Sequence, residues 1–209
     1  MKERRRMRKP KLRELGEAVR ALVGGPYTSK FPFEPAEPPP NFRGKPEFQP
    51  DDCVACGACA EVCPAGAITV LDDPKSEPPM RRLELRLDRC IFCGQCELNC
   101  LTKTGIHLTQ HFDLATLDRH AARESIEKEL VLCEQCGAVV TAKAHLRFIA
   151  EEVGGKSFTN PALMLAREEA LGLVEFSKPD YREIPQRADM MKVLCPKCRR
   201  AVVAREIWG

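Results

Sequence analysis

One twelve-residue pattern occurs twice between residues 51 and 110: CVACGACAEVCP from Cys53 and CIFCGQCELNCL from Cys90. Each run has the spacing C-x2-C-x2-C-x3-C, with Gly57 or Gly94 directly after its second cysteine. Four thiols within eleven residues leave little freedom, because such a run must wrap its sulfurs around something. A disulfide framework belongs to secreted chains. The opening MKERRRMRKPKLRELG has basic residues and no apolar run behind them, which reads as no secretory signal. Tight C-x-x-C groups then read as metal or cluster ligands in a reducing compartment. A zinc site takes four ligands, usually as two pairs, and two runs of four do not suit it.

The repeated spacing is the two-cluster bacterial ferredoxin signature. Three closely spaced thiolates cap three irons of a cubane, and the fourth iron takes its ligand from the other run. On that rule Cys53, Cys56, Cys59 and Cys100 hold a first 4Fe–4S cluster, and Cys90, Cys93, Cys96 and Cys63 hold a second. Small residues at Ala55, Gly57, Ala58 and Gly94 let backbone N–H groups approach the sulfurs, which helps set the reduction potential. The runs differ at their ends. Pro64 follows Cys63, but Leu101 follows Cys100, and the second run takes six positions to reach Ile106 where the first takes five to reach Ile68. The proline shapes a turn and is no ligand, so its loss need not cost the cluster, and Cys100 stays in the ligand set with the geometry of its turn left open.

Twelve cysteines are present, and four remain: Cys133, Cys136, Cys195 and Cys198, in CEQCG and CPKC. Two paired knuckles form the all-cysteine arrangement of a structural zinc site, with a third iron centre or redox thiols as alternatives. His107, His111, His120 and His145 are scattered and complete no ligand set. No nucleophile stands beside a base and no phosphate loop occurs, so the chain reads as an electron carrier and not as an enzyme in its own right.

The remaining sequence divides by character. Residues 1–25 hold nine Lys or Arg against Glu3, Glu14 and Glu17, and Leu12, Leu15, Val19, Leu22 and Val23 recur at helical spacing. This is a basic amphipathic helix for docking on a membrane surface or a partner, with packing on its own domain as the alternative. Residues 26–50 contain eight prolines among Tyr27, Phe31, Phe33, Phe42 and Phe48, an extended arm whose aromatics should fill pockets. Residues 51–112 form the ferredoxin-like domain, in which AITVL, RRLELRLD and GIHLTQ read as strands. Residues 113–209 form a helical module bearing the zinc knuckles, with helices over about 141–153 and 161–172, the second opened by Asn160 and Pro161. The fold class is α+β. The net charge of +3 is concentrated in the head and lacks the basic, aromatic-laced face of a nucleic-acid binder. No apolar run is long enough to span a membrane.

Read together, FPFEP, NFRGKPEFQPDDCVACGACAEVCPAGAITV, DRCIFCGQCELNC, LCEQC and CPKC resemble the two-cluster subunit of formate hydrogenlyase and related membrane-bound nickel–iron hydrogenases. That subunit is in turn similar to the ferredoxin-like subunit of respiratory complex I. The resemblance implies a relay of electrons between an electron-donating module and the small nickel–iron hydrogenase-type subunit. It implies a peripheral position on the cytoplasmic face of the membrane, with the N-terminal segment along the membrane arm. Arg43 and Gly44 would then be docking residues, with a plain turn as the other reading. A complex I-like quinone oxidoreductase subunit, or a free ferredoxin with a zinc-binding domain, are the alternative functions.

Overall fold

The computed structural model describes residues 11–25, 28, 30–181 and 186–208. Tyr27 and the basic residues Lys2, Arg4, Arg5, Arg6, Arg8 and Lys9 of the expected head lie outside them. The chain forms two compact units, Met1–Pro40 and Asn41–Gly209.

In the first unit α1 (Leu12–Gly24) follows the apolar spacing, and the Lys11 N–H donates to Glu14 Oε2 at 3.0 Å to start it. Its apolar residues Leu12, Leu15, Val19, Leu22 and Val23 are all exposed. No helix among the described residues is long and apolar enough to cross a membrane.

The second unit begins with β1 (Pro46–Phe48), α2 (Ala58–Glu61), β2 (Ile68–Asp73), β3 (Met80–Arg86), α3 (Gln95–Leu98) and β4 (Ile106–Leu108). It continues with β5 (Arg123–Leu132), β6 (Val139–Ala142), α4 (Lys143–Val153), α5 (Pro161–Ala170) and α6 (Pro196–Trp208). β2, β3, β5 and β6 form one antiparallel sheet in that order, and β1 pairs with β4 in a second. In β3 the alternation of leucines with polar residues places Leu83 and Leu85 inward, where both are buried. They pack with Phe48, Ile68, Ile106, Ile126 and the buried cysteines Cys53, Cys59 and Cys96. The sulfurs therefore line the core itself. Burying a leucine there contributes roughly 1.5–3 kcal/mol.

Two features depart from the motif reading. The end of the proline-rich arm is not free, because Pro46–Phe48 is a strand paired with Ile106–Leu108. The module after residue 112 is not purely helical. It opens with the ten-residue β5, which extends the ferredoxin-like sheet by pairing with β3, Leu83 opposite Ile126. The face of RESIEKELVL that carries Ile126 and Leu130 also carries Glu124 and Lys128, so its apolar alternation is weak.

Of the arm's aromatics, Phe48 is buried and Phe42 meets Phe112 edge-on at 6.1 Å, whereas Phe33 is exposed. Both expected downstream helices form. Asn160 caps α5 by accepting a hydrogen bond from the Ala162 N–H at 3.0 Å, with Pro161 in the first turn. Asn160→Ala should cost about 1 kcal/mol, read as a lower denaturant midpoint at unchanged slope. A second core of Val131, Leu146, Ala150, Ala166 and Val193 joins α4 and α5 to β5.

Candidate metal centres

The two cysteine runs adopt matching backbones. Ala55 and Phe92, each directly before a run's second cysteine, are left-handed with φ of 51° and 52°. Gly57 and Gly94, directly after it, are left-handed with φ of 83° and 79° and start the short helices α2 and α3. Such φ values favour glycine, and turns of this kind present successive N–H groups as a concave nest.

Each nest faces a cavity. One is lined by Cys53, Cys56, Cys59 and, from the other run, Cys100. The other is lined by Cys90, Cys93, Cys96 and, from the first run, Cys63. The remaining walls are mainly apolar, with Phe48, Leu83 and Ile106 on one and Ile68, Leu85 and Phe92 on the other. The structure thus brings together the two sets of four thiols expected from the spacing.

The donor chemistry suits iron–sulfur cubanes. The Ala67 N–H points at Cys63 Sγ at 3.2 Å, and the Phe92 N–H at Cys90 Sγ at 3.4 Å. Burial pushes the Cys59 thiol up to about 12 and that of Cys96 up to about 11. A strong local positive charge, such as ligated iron would supply, favours the thiolate at these positions.

Cys100 shows how the second run manages without a proline. Burial raises its thiol, but the Thr102 hydroxyl and the N–H groups of Thr102, Gly105 and Ile106 outweigh this and leave it below the usual value. Thr102 Oγ1 also accepts from the Gly105 N–H at 3.0 Å, and Lys103 is left-handed at φ 66°. A Cβ on Gly105 would lie 2.8 Å from Thr102 Oγ1 and 3.0 Å from the Cys53 Cα. Threonine and glycine build the turn, and the extra residue makes room for it. Leu101 is left partly exposed.

Cys133, Cys136, Cys195 and Cys198 form a separate set. Their four sulfurs lie within 4.8 Å of one another, and Cys136 Sγ is 3.7 Å from Cys195 Sγ. A tetrahedral ion with metal–sulfur bonds near 2.3 Å has sulfurs roughly 3.8 Å apart. The first pair follows β5, where the Cys133 N–H donates to the Ala138 carbonyl and the Gly137 N–H to the Cys133 carbonyl, both at 2.8 Å. The second pair lies at the start of α6. A hydrogen bond of 3.0 Å from the Glu134 N–H to the Val193 carbonyl ties the two knuckles together. The long interval between them is filled by α4 and α5, as an insertion in the knuckle pair. Burial raises the Cys133 thiol, but N–H groups of Cys195, Cys136 and Gln135 outweigh this and hold it down to about 7. Burial and the neighbouring thiols push Cys198 up. The four sulfurs cluster at distances that suit a tetrahedral divalent cation.

Of the four histidines, His145 is half-buried, with Nδ1 2.8 Å from the Thr141 hydroxyl. Burial and the Arg81 guanidinium hold its imidazole below the usual value. It lines an open cleft with Cys56, Glu61, Arg81 and Asn99. Sequence reasoning missed this neighbourhood, because α4 reaches it only through the β5–β6 extension of the sheet. Gly44 also reads differently in three dimensions. Its N–H donates to the Thr109 carbonyl at 2.9 Å, and a Cβ would lie 2.5 Å from the His111 carbonyl oxygen, so it serves internal packing. Arg43 Nη1 donates to the Cys93 carbonyl at 3.3 Å.

Residues 52–104 match the model of the 4Fe-4S dicluster domain. The chain is 34% identical over 116 residues to NADH-quinone oxidoreductase subunit I 2 of Geobacter metallireducens, covering 53% of this chain and 88% of that protein. It is 44% identical over 54 residues to formate hydrogenlyase subunit 6 of Escherichia coli, covering 26% of this chain and 30% of the relative. A chain in the structure of a membrane-bound sulfane sulfur reductase, an archaeal respiratory membrane complex, is 28% identical at a TM-score of 0.38, over 57% of this chain and 64% of the other.

Proposed function

The chain belongs to the NADH-quinone oxidoreductase subunit I family, and we propose that it is an electron-transfer subunit carrying two 4Fe–4S clusters within a membrane-associated oxidoreductase complex. The observation that carries this reading is the crossed pair of cavities, each lined by three thiols of one run and one of the other. Bound cubanes would each take up and release one electron. The chain's own residues would ligate them through Cys53, Cys56, Cys59 and Cys100, and through Cys90, Cys93, Cys96 and Cys63. Apolar walls limit the water around the sulfurs, and the N–H nests would stabilise the charge that reduction adds. Exchanging a ligand between the runs holds both clusters in one core, a geometry suited to passing electrons from one to the other.

Within that class we read the complex as a nickel–iron hydrogenase of the formate hydrogenlyase type. The subunit would lie on its cytoplasmic face, between an electron-donating module and the small hydrogenase-type subunit. The likeness to formate hydrogenlyase subunit 6 supports this reading. The exposed apolar face of α1 supports a surface contact, with the membrane arm or the membrane itself. The four-thiol site would hold one zinc ion as a structural clamp, a role its sulfur spacing suits. A complex I-like quinone oxidoreductase is the second reading, favoured by the greater length shared with its subunit I.

Anaerobic affinity purification from gently solubilised native membranes, followed by mass spectrometry, tests these readings. Recovery of a large nickel–iron subunit with integral membrane subunits is the expected result. Quinone-reductase subunits in its place would select the second reading. A soluble monomer without partners would overturn both and leave a free carrier.

A further inference from the structure

Arg81 lies on β3, directly across from Asp72 on β2. Its Nε and Nη2 atoms donate to Asp72 Oδ1 and Oδ2 at 2.7 and 2.9 Å, a forked pair with the arginine side chain only 12% exposed. The third contact points elsewhere. Arg81 Nη1 donates at 3.2 Å to the carbonyl of Ala55, the fully buried, left-handed residue between Cys53 and Cys56. The same guanidinium lines the cleft that Cys56 and Gly57 reach. A cation therefore braces the loop of the first thiol set, with its counter-charge held on the far side of the fork.

The second thiol set has no equivalent brace among the contacts described. Its loop receives Arg43 at 3.3 Å on the Cys93 carbonyl, from an exposed side where water and salt screen the charge. The two loops match in backbone and differ in electrostatics.

We propose that the Arg81–Asp72 pair is a positioning and potential-setting element for the cluster held by Cys53, Cys56, Cys59 and Cys100, and that it separates this cluster's reduction potential from that of the second. Reduction adds one negative charge to a cubane. A little-exposed guanidinium against the ligand loop favours the reduced form, and the Asp72 carboxylate partly offsets it. The pair thus has two members acting in opposite senses.

The inference rests on the cluster reading above, and its test uses the full chain purified anaerobically with both clusters present. Redox titration followed by low-temperature electron paramagnetic resonance reads each cluster separately. Arg81→Gln should make the first cluster harder to reduce by at least about tenfold in the reduction equilibrium, about 59 mV for a one-electron couple. Asp72→Asn, which keeps the shape and leaves the Ala55 contact in place, should shift it in the opposite direction. Arg81→Lys should recover part of the loss, because charge returns without the fork. The second cluster should stay within a few-fold of its original equilibrium in all three. Shifts of the same sign in Arg81→Gln and Asp72→Asn would overturn the inference, as would unmoved potentials with both clusters assembled. Should Arg81→Gln fail to retain its cluster, the sign of the Asp72→Asn shift alone decides. An unsubstituted chain with iron for only one cluster would overturn the cluster reading itself, a result distinct from any of these.

Discussion

A chain carrying Cys100→Ala is expected to lose the cluster of the first run and keep the cluster of its own. Cys100 is encoded beside Cys90, Cys93 and Cys96, yet its sulfur lines the cavity of Cys53, Cys56 and Cys59. Removing it takes the fourth ligand from that cubane and empties the cradle of N–H groups from Thr102, Gly105 and Ile106. Iron should fall from about eight to about four per chain, and the surviving resonance should be the one that Cys63→Ala abolishes. Loss of the other cluster would mean that each run ligates its own cubane, and the crossed assignment would be wrong. Iron analysis and electron paramagnetic resonance on the two variants give the answer together.

Cys133→Ser should release the ion of the four-thiol site and leave both cluster signals in place. Binding at structural tetrathiolate sites is worth on the order of 10 kcal/mol and is available only to the folded arrangement. Around this site lies a small core of Leu194, Val202 and the cysteines, with little apolar area to replace the ion. Amide exchange over residues 187–205 should therefore accelerate by several orders of magnitude, while β2 and β3 stay protected by their own core. Chelation of the unsubstituted chain should reproduce the effect, and metal analysis should find one zinc per chain before it. Loss of a cluster signal on Cys133→Ser would contradict the separation of the two kinds of site.

The spacing within each cysteine run and each knuckle was legible in the sequence because it is local. Three thiols at C-x2-C-x2-C spacing must face one point, and the paired knuckles declare themselves in the same way. Local capping also made the start of α5 readable, since Asn160 and Pro161 act within one turn. What could not be read depends on partners far along the chain. β5 shows weak alternation on its own and becomes a strand because β3 offers it an edge. Arg81 looks like one arginine of a solvated strand face until β2 supplies Asp72 and the ligand loop supplies the Ala55 carbonyl. Leu101 suggested a disturbed turn, and the repair lay in Thr102 and Gly105, whose side chain and lack of one act only together.

The pairing of β5 with β3 has a further consequence for how the polypeptide reaches this state. Both cysteine runs are synthesised before β5, so the cluster-bearing half emerges with one flank of β3 still open. An open strand flank is a template for self-association with other copies. β5 closes it with a segment that begins at Arg123, beyond the last cluster cysteine. Spanning that extra chain costs little entropy, because closure grows only slowly with loop length. The downstream half thus covers that flank, and β3 is paired on both sides only once β5 has been made.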